Sequence, residues 1–188
     1  PFLHGGMHCA RLITTRIDTV LPAIAERVKV DAMASSEAVT LLGAGLSNAN
    51  HTTLAALAVR LGEWPLLLRL TNGALNAYVR EGMSALDAQN VIDVELTELG
   101  LTAFDDPNDP ANRNRAVAAS LNLSLRRLSE TERRRFGDLA VFPEDVDVPW
   151  VALEKIWGTS PVETRRFCRR LGDLSLLMKV DFAISTVR

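Results

Sequence analysis

A single arginine ends the first β-like segment of the chain, in a position suited to binding phosphate. Residues 10–16 are short, apolar and β-branched, which is typical of a strand, and they end at Thr15 and Arg16. Open α/β sheets place ligand-binding residues at the carboxyl ends of their strands. A guanidinium group carries a permanent charge and a planar fork of donors that matches phosphate oxygens. Arg16 is therefore a candidate phosphate ligand, although a solvated arginine at a strand end gives the same pattern.

Four arginines form a second candidate cluster on one predicted helix near the C-terminus. Arg165 and Arg169 are separated by four residues, and so are Arg166 and Arg170, which places each pair on one helix face. A basic helix of this kind can enter the major groove of DNA. Residues 126–188 nevertheless hold twelve basic and ten acidic residues, and a DNA-binding domain usually shows a larger basic excess. A solvated or docked helix face is the alternative.

Composition favours a soluble globular protein of one or two small domains. The 188 residues are 47% hydrophobic and 23% charged, and the formal net charge is −2. Two cysteines do not make a disulfide framework, so a reduced, cytoplasmic protein is the simplest interpretation. The pattern predicts neither a membrane span nor a signal peptide, and it indicates neither catalytic residues nor a metal site. Because the chain begins at Pro1, shortly before a strand, we expect it to be an internal piece of a longer protein.

The first hundred residues predict the edge of a parallel sheet followed by a helical bundle. Strand 10–16, helix 17–28 and strand 28–33 form a strand–helix–strand unit. From Ser35 onward the apolar spacing becomes helical. We expect four helices, which run from Ser35 to Leu42, from Asn50 or His51, from Pro65 to Val79, and from Ser84 to Leu99. Residues 81–112 contain eight acidic residues and no lysine or arginine, which predicts a solvated acidic face.

The last eighty residues predict a winged-helix domain that follows a turn-rich linker, Asp105–Pro110. Val117, Leu121, Leu125 and Leu128 would line one helix. Ser129–Glu132 and Ser160–Glu163 each have the pattern of a capping box. Between these boxes lie a proline-bounded acidic turn, Pro143–Pro149, and a helix that carries Trp150, Leu153, Ile156 and Trp157. Residues 176–180 and 183–187 are β-like and would form the wing hairpin.

Three segments of the chain resemble the NB-ARC proteins, the nucleotide-switch ATPases of plant immune receptors and of the apoptotic protease-activating factor. Arg133–Trp157, RRRFGDLAVFPEDVDVPWVALEKIW, is similar to their winged-helix segment. Leu12–Arg16 resembles their sensor motif, which implies that Arg16, next to Thr15, contacts the terminal phosphate of ATP. Gly62–Leu66 resembles their Gly-Leu-Pro-Leu motif, with Glu63 and Trp64 in place of one residue. The match implies that Pro65 and Leu66 pack on the adenine ring.

The resemblance implies a mainly α fold in three parts. These parts are the end of an α/β nucleotide-binding domain (1–33), a helical ARC bundle (34–107) and a winged-helix domain (108–188). The phosphate-binding loop and the magnesium-binding acid of the family are absent from this sequence. We therefore expect no ATPase activity and no tight nucleotide binding from these residues alone, whereas the parent protein would bind ADP or ATP with Mg²⁺.

The same resemblance implies a function and partners. The chain would belong to a cytoplasmic signalling switch in which nucleotide controls autoinhibition and oligomerisation. Its partners would be the other domains of the parent chain and, in the ATP-bound state, further copies, without nucleic acid or membrane. A winged-helix transcriptional regulator that binds DNA and a protein-interaction adaptor are the alternatives.

Overall fold

A computed structural model describes Glu26, residues 33–101 and residues 110–188. The predicted strands 10–16 and 28–33 and the helix between them lie outside the described residues, apart from Glu26 and Met33. The described part is mainly helical, with eight α-helices and a small three-stranded antiparallel sheet, which confirms the mainly α prediction. Residues 31–188 form one compact unit. Within the described residues, no helix is both long enough and apolar enough to cross a membrane.

Four helices form the first part of this unit. The second and the fourth begin at side-chain caps, whereas the N-cap of the first is Ala34 and not a serine. The Asn50 side chain accepts hydrogen bonds from the backbone N–H groups of Thr52 and Thr53, and the Ser84 hydroxyl accepts one from Asp87. Proline occupies the first turn of the third helix, as predicted. The helices are α1 (Ser35–Leu42), α2 (His51–Arg60), α3 (Pro65–Arg80) and α4 (Ala85–Glu98).

A fifth helix, α5 (Pro110–Leu125), packs on α3 and α4 and contributes Ala116, Ala119 and Leu123 to the core of the bundle. The predicted apolar face of this helix is confirmed in part. Val117 and Leu125 are partly buried against the two cores, and Leu128 is buried but lies beyond the helix end. The fully buried positions of α5 are mostly small side chains instead. Alanine and serine let the backbone of α5 approach α3 more closely than leucine would. The predicted domain boundary at residues 107 and 108 stays a prediction.

The C-terminal part has the element order of a winged helix. Both predicted capping boxes are present, because Ser129 and Ser160 each exchange hydrogen bonds with the glutamate three residues later. The elements are α6 (Glu130–Gly137), a 3₁₀ helix (Asp138–Val141), β1 (Val148–Pro149), α7 (Trp150–Trp157), α8 (Pro161–Asp173), β2 (Val180–Asp181) and β3 (Thr186–Val187).

The three short strands form one sheet in the order β1–β3–β2. Val187 pairs with both Val148 and Val180, and it is buried. The wing hairpin is shorter than predicted, since Asp181 belongs to β2 and the turn covers residues 182–185. Behind the sheet, Trp157 and Phe167 meet edge to face at 5.2 Å in a second core that also contains Leu153 and Leu171. Ile156 of α7 is 44% exposed, whereas Trp150, Leu153 and Trp157 of the same helix are buried.

Candidate functional site

Of the four predicted nucleotide-binding residues, two lie within the described part of the chain and two lie outside it. Thr15 and Arg16 lie outside the described residues. Pro65 and Leu66 are the first two residues of α3; both are exposed, and Leu66 keeps 45% of its surface accessible. A tight turn precedes them, in which Gly62 and Glu63 adopt left-handed backbone conformations with φ values of 64° and 52°.

A backbone hydrogen bond holds this turn against the segment that precedes α1. The carbonyl oxygen of Glu63 accepts a 2.9 Å hydrogen bond from the N–H of Met33. Met33 is the first residue after the undescribed segment 27–32. The start of α3 is thereby joined to the point at which the chain arrives from its N-terminal residues.

Arg69 lies one helical turn beyond Pro65 and joins α3 to the winged-helix part. Its Nη2 donates hydrogen bonds to the carbonyl oxygens of Leu177, at 3.2 Å, and Met178, at 2.9 Å. Residues four apart on a helix share one face, so Arg69 and Pro65 point to the same side of α3. The exposed Pro65–Leu66 pair and the segment that leads into β2 therefore lie on one side of the molecule.

A shallow groove of about 240 Å³ opens beside Arg69, between α3 and the winged-helix part. Its lining combines apolar and charged side chains. The lining residues are Arg69, Arg169, Gly172, Asp173, Leu177, Met178, Lys179, Val180 and Phe182. No group of histidine, cysteine, aspartate or glutamate side chains suited to a metal ion occurs in the described ranges.

The lining of this groove includes three cationic side chains and one carboxylate, Asp173. The Arg169 guanidinium lies 5.1 Å from the centre of the Phe182 ring. Lys179 pairs with Asp181 at 2.8 Å, and this hydrogen bond raises the pKa of Lys179 and lowers the pKa of Asp181, so both stay charged at neutral pH. The remaining positive excess favours an anion such as a phosphate group.

A second cavity, of about 160 Å³, lies at the other end of the junction between α3 and α8, and it is occupied by its own ion pairs. Arg80 reaches the carboxylate of Asp173 at 3.0 Å. Arg127 pairs with Glu81 and covers the ring of Tyr78 at 3.8 Å. Each charged side chain of this cavity takes part in an ion pair, and the buried Nε of Arg127 is left without a hydrogen bond in the described structure. The cavity therefore offers less free charge to a ligand than the groove beside Arg69.

The centre of the junction is a close backbone approach. A Cβ atom added to Gly73 of α3 would lie 2.7 Å from the carbonyl carbon of Leu174, which follows α8. The buried hydroxyl of Ser124 in α5 donates a 2.9 Å hydrogen bond to the carbonyl oxygen of the same Leu174. Helices α3 and α5 of the bundle therefore both contact the peptide group of Leu174 in the winged-helix part.

The four arginines of α8 divide between this junction and solvent. Arg170 pairs with Glu132 at 3.3 Å and donates a hydrogen bond to the carbonyl oxygen of Arg127 at 2.6 Å. Arg165, Arg166 and Arg169 are exposed, and none has an ion pair within the described part of the chain. Arg165 stands over the rings of Trp150 and Phe182, at 5.6 Å from each.

Sequence reasoning missed the residues that build the junction. One signal was available, because a glycine in the middle of α3 destabilises a helix by about 1 kcal/mol relative to alanine and so suggests a close approach of backbones. Arg69 and Ser124 carry no such signal, because their hydrogen-bond partners are distant in the sequence. Leu177 lies 108 positions after Arg69, and Leu174 lies 50 positions after Ser124.

Comparison with protein-family models and with curated proteins finds no match for this chain. The geometry of the junction and its groove therefore provides the main basis for a functional proposal.

Proposed function

We propose that residues 33–188 are the regulatory part of an ADP/ATP-dependent signalling switch, in which the winged helix docks on the helical bundle in the closed state. In the longer protein, ADP with Mg²⁺ would occupy the closed state, and ATP would favour release of the winged helix and assembly of copies. Such a switch requires that nucleotide binds the two states with different affinity, since equal affinity shifts no population.

The observation that carries the proposal is the junction between the two parts, where polar contacts accompany a small apolar contact of Ala77 and Leu125 with the second core. The segment 173–178 of the winged-helix part is held by Arg69, Arg80 and Ser124, which all contact backbone carbonyl oxygens or the Asp173 carboxylate. When the two parts separate, hydrogen bonds to water can replace polar contacts of this kind. Separation of a large apolar interface would instead expose apolar surface to water. The junction therefore suits two parts that dock and release.

The exposed Pro65–Leu66 pair adds a second observation. These residues stand on the same side of α3 as Arg69 and the cationic groove. An apolar surface next to an anion-binding groove matches the two chemical halves of a nucleotide, the base and the phosphates. Thr15 and Arg16 would complete the site from the nucleotide-binding domain.

The proposal is tested by ADP titration calorimetry on the longer protein and on the 188-residue chain. We expect tight binding only for the longer protein, since the sequence of this chain lacks a phosphate-binding loop. Pro65→Ala together with Leu66→Ser should weaken ADP binding by at least about tenfold, because both side chains would lose contact with the base. Val146→Ser, which removes a 44% exposed apolar side chain away from the proposed contact surfaces, is the matched control.

Two results would contradict the proposal. Sub-micromolar ADP binding by the 188-residue chain alone would show that the site does not need the missing elements. Unchanged ADP affinity in the Pro65→Ala, Leu66→Ser variant of the longer protein would remove the adenine contact on which the assignment of the bundle depends.

A further inference from the structure

Two surfaces of the described part are exposed, partly apolar and opposite in charge. The acidic α4 surface consists of Leu86, Asp87, Asn90, Asp93, Val94 and Glu98. The basic α8 surface consists of Val162, Arg165, Arg166, Arg169, Phe182 and Ile184. We propose that the acidic α4 surface of one copy binds the basic α8 surface of a second copy of this chain.

The acidic α4 surface presents apolar side chains between its carboxylates. Leu86, Asn90, Val94 and Glu98 follow at intervals of four residues, so they form one stripe along the exposed side of α4. Leu86 is 45% exposed and Val94 is 58% exposed. α4 contains four acidic residues and no basic residue. Asp93 pairs with Arg60 and Glu98 pairs with Arg126, yet these two carboxylate side chains keep 58% and 60% of their surface accessible. The stripe therefore offers both apolar area and negative charge.

The basic α8 surface has the complementary composition. Arg165, Arg166 and Arg169 form no ion pair within residues 33–101 and 110–188, although Arg166 is close enough to Glu163 to interact with its charge. Val162 precedes them by one helical turn and is 68% exposed, and Ile184 of the wing turn is 62% exposed. The rings of Trp150 and Phe182 hold two of the three guanidinium groups in place, which reduces the entropy that they lose on binding.

Neither surface can cover the other within one molecule. The inner side of α4 packs on α2, α3 and α5, whereas α8 packs on α3, α7 and β2, and both surfaces remain exposed in the single chain. Contact between them therefore requires two copies. Because the two surfaces differ, the contact is heterologous, and repeated contacts give a ring or an open filament rather than a closed two-fold dimer.

This inference deepens the proposed function, since it names the surfaces through which copies would assemble, and it rests on that function only for its biological role. The charge complementarity itself requires no nucleotide. The experiment below contains none, so a failed ADP titration and a failed assembly experiment remain distinguishable.

The test is sedimentation velocity on the 188-residue chain over a range of concentrations. We expect association that grows with concentration and that weakens by at least about tenfold between low salt and half-molar salt, because surface charges are screened at high ionic strength. Arg165→Glu, Arg166→Glu, Arg169→Glu makes both surfaces acidic, and Asn90→Lys, Val94→Lys, Glu98→Lys makes both basic. Each triple variant alone should be monomeric.

Mixing the two triple variants provides the decisive measurement. The unchanged acidic α4 surface of the first can bind the unchanged basic α8 surface of the second, so the mixture should regain association. Arg134→Glu with Lys155→Glu, which reverses two exposed charges on α6 and α7, is the matched control and should associate as the original chain does. Circular dichroism on each variant verifies that it is folded.

Several outcomes would overturn the inference. The original chain could stay monomeric at low salt, the reversal on α4 could leave association unchanged, or the mixture of folded variants could stay monomeric. Duplex DNA is titrated in parallel. Salt-dependent DNA binding that the reversal on α8 abolishes, in a chain that does not self-associate, would assign the basic α8 surface to nucleic acid instead.

Discussion

Gly73 of α3 faces the peptide group of Leu174 so closely that a Cβ atom at Gly73 would lie 2.7 Å from the carbonyl carbon and 2.8 Å from the carbonyl oxygen. Both atoms belong to the backbone, which cannot rotate away as a flexible side chain can. The docking of the winged-helix part on α3 therefore depends on the absence of a side chain at position 73.

Gly73→Ala should destabilise the junction. Alanine improves the helix propensity of α3 by about 1 kcal/mol. Overpacking against a backbone that cannot give way costs about 1–3 kcal/mol or more. We expect lower stability in urea unfolding and faster amide hydrogen exchange in residues 173–178.

Gly137→Ala is the control for this substitution. Gly137 ends α6 with a φ of −61°, and a Cβ atom there would meet no atom within 4 Å. The control should be neutral or stabilising by up to about 1 kcal/mol. Equal effects of the two substitutions would contradict the close approach at Gly73.

Ser124→Ala should destabilise the chain more than Ser120→Ala. Both serines are fully buried and lie four residues apart on α5. The Ser124 hydroxyl donates to the carbonyl oxygen of Leu174, and its loss leaves a buried acceptor without that partner, at a cost of about 1–3 kcal/mol. The Ser120 hydroxyl has no hydrogen-bond partner within the described structure, so its removal should be nearly neutral. Equilibrium unfolding measures both changes, and the reverse order would contradict the role of Ser124.

The starts of the helices could be predicted from sequence because they depend on local chemistry. Asn50, Ser84, Ser129 and Ser160 each act as caps through hydrogen bonds to N–H groups two or three residues away, and the sequence alone specifies these contacts. The order of the elements in the winged-helix part could be predicted for the same reason, because local signals mark where these elements begin.

The buried face of α5 and the junction could not be predicted, because both depend on residues distant in the sequence. Large apolar residues favoured Val117, Leu121 and Leu125 as the core face, and Val117 and Leu125 do pack against the cores. The fully buried positions nevertheless include Ala116 and Ala119, whose small size permits close contact with α3. Of the candidate site, only the position of Pro65 as a helix start was derivable from local pattern. The position of Pro65 relative to Arg69 and the groove could be seen only in the folded structure.

Cys168 should react with thiol reagents only when the chain opens. The residue is fully buried, and burial raises the pKa of its thiol to about 12, so the reactive thiolate is scarce at neutral and mildly alkaline pH. In a Cys9→Ser background, labelling of the native protein should proceed at the rate of opening, and denaturant should make it fast. Rapid labelling without denaturant would contradict the burial of Cys168 in the second core.

Tyr78 is the only tyrosine of the chain, so its ionisation can be followed by tyrosinate absorbance without interference. Burial raises the pKa of Tyr78 above the usual value for a tyrosine, and the hydrogen bond that its hydroxyl donates to the Glu95 carboxylate, at 2.9 Å, raises that pKa further. The Arg127 guanidinium opposes this shift. Because the folded pKa exceeds the unfolded pKa, the resulting stability is fully present below about pH 10 and is lost as the pH rises through the folded value.

The matched variants should move the pKa of Tyr78 in opposite directions. Glu95→Gln removes a negative charge next to the hydroxyl and should lower the pKa, whereas Arg127→Gln removes the opposing positive charge and should raise it. Spectrophotometric titration of the native chain, the two variants and the urea-unfolded chain measures all four values. A native pKa equal to or below that of the unfolded chain would contradict the contact between Tyr78 and Glu95, and with it the packing of α3 on α4 that brings the two side chains together.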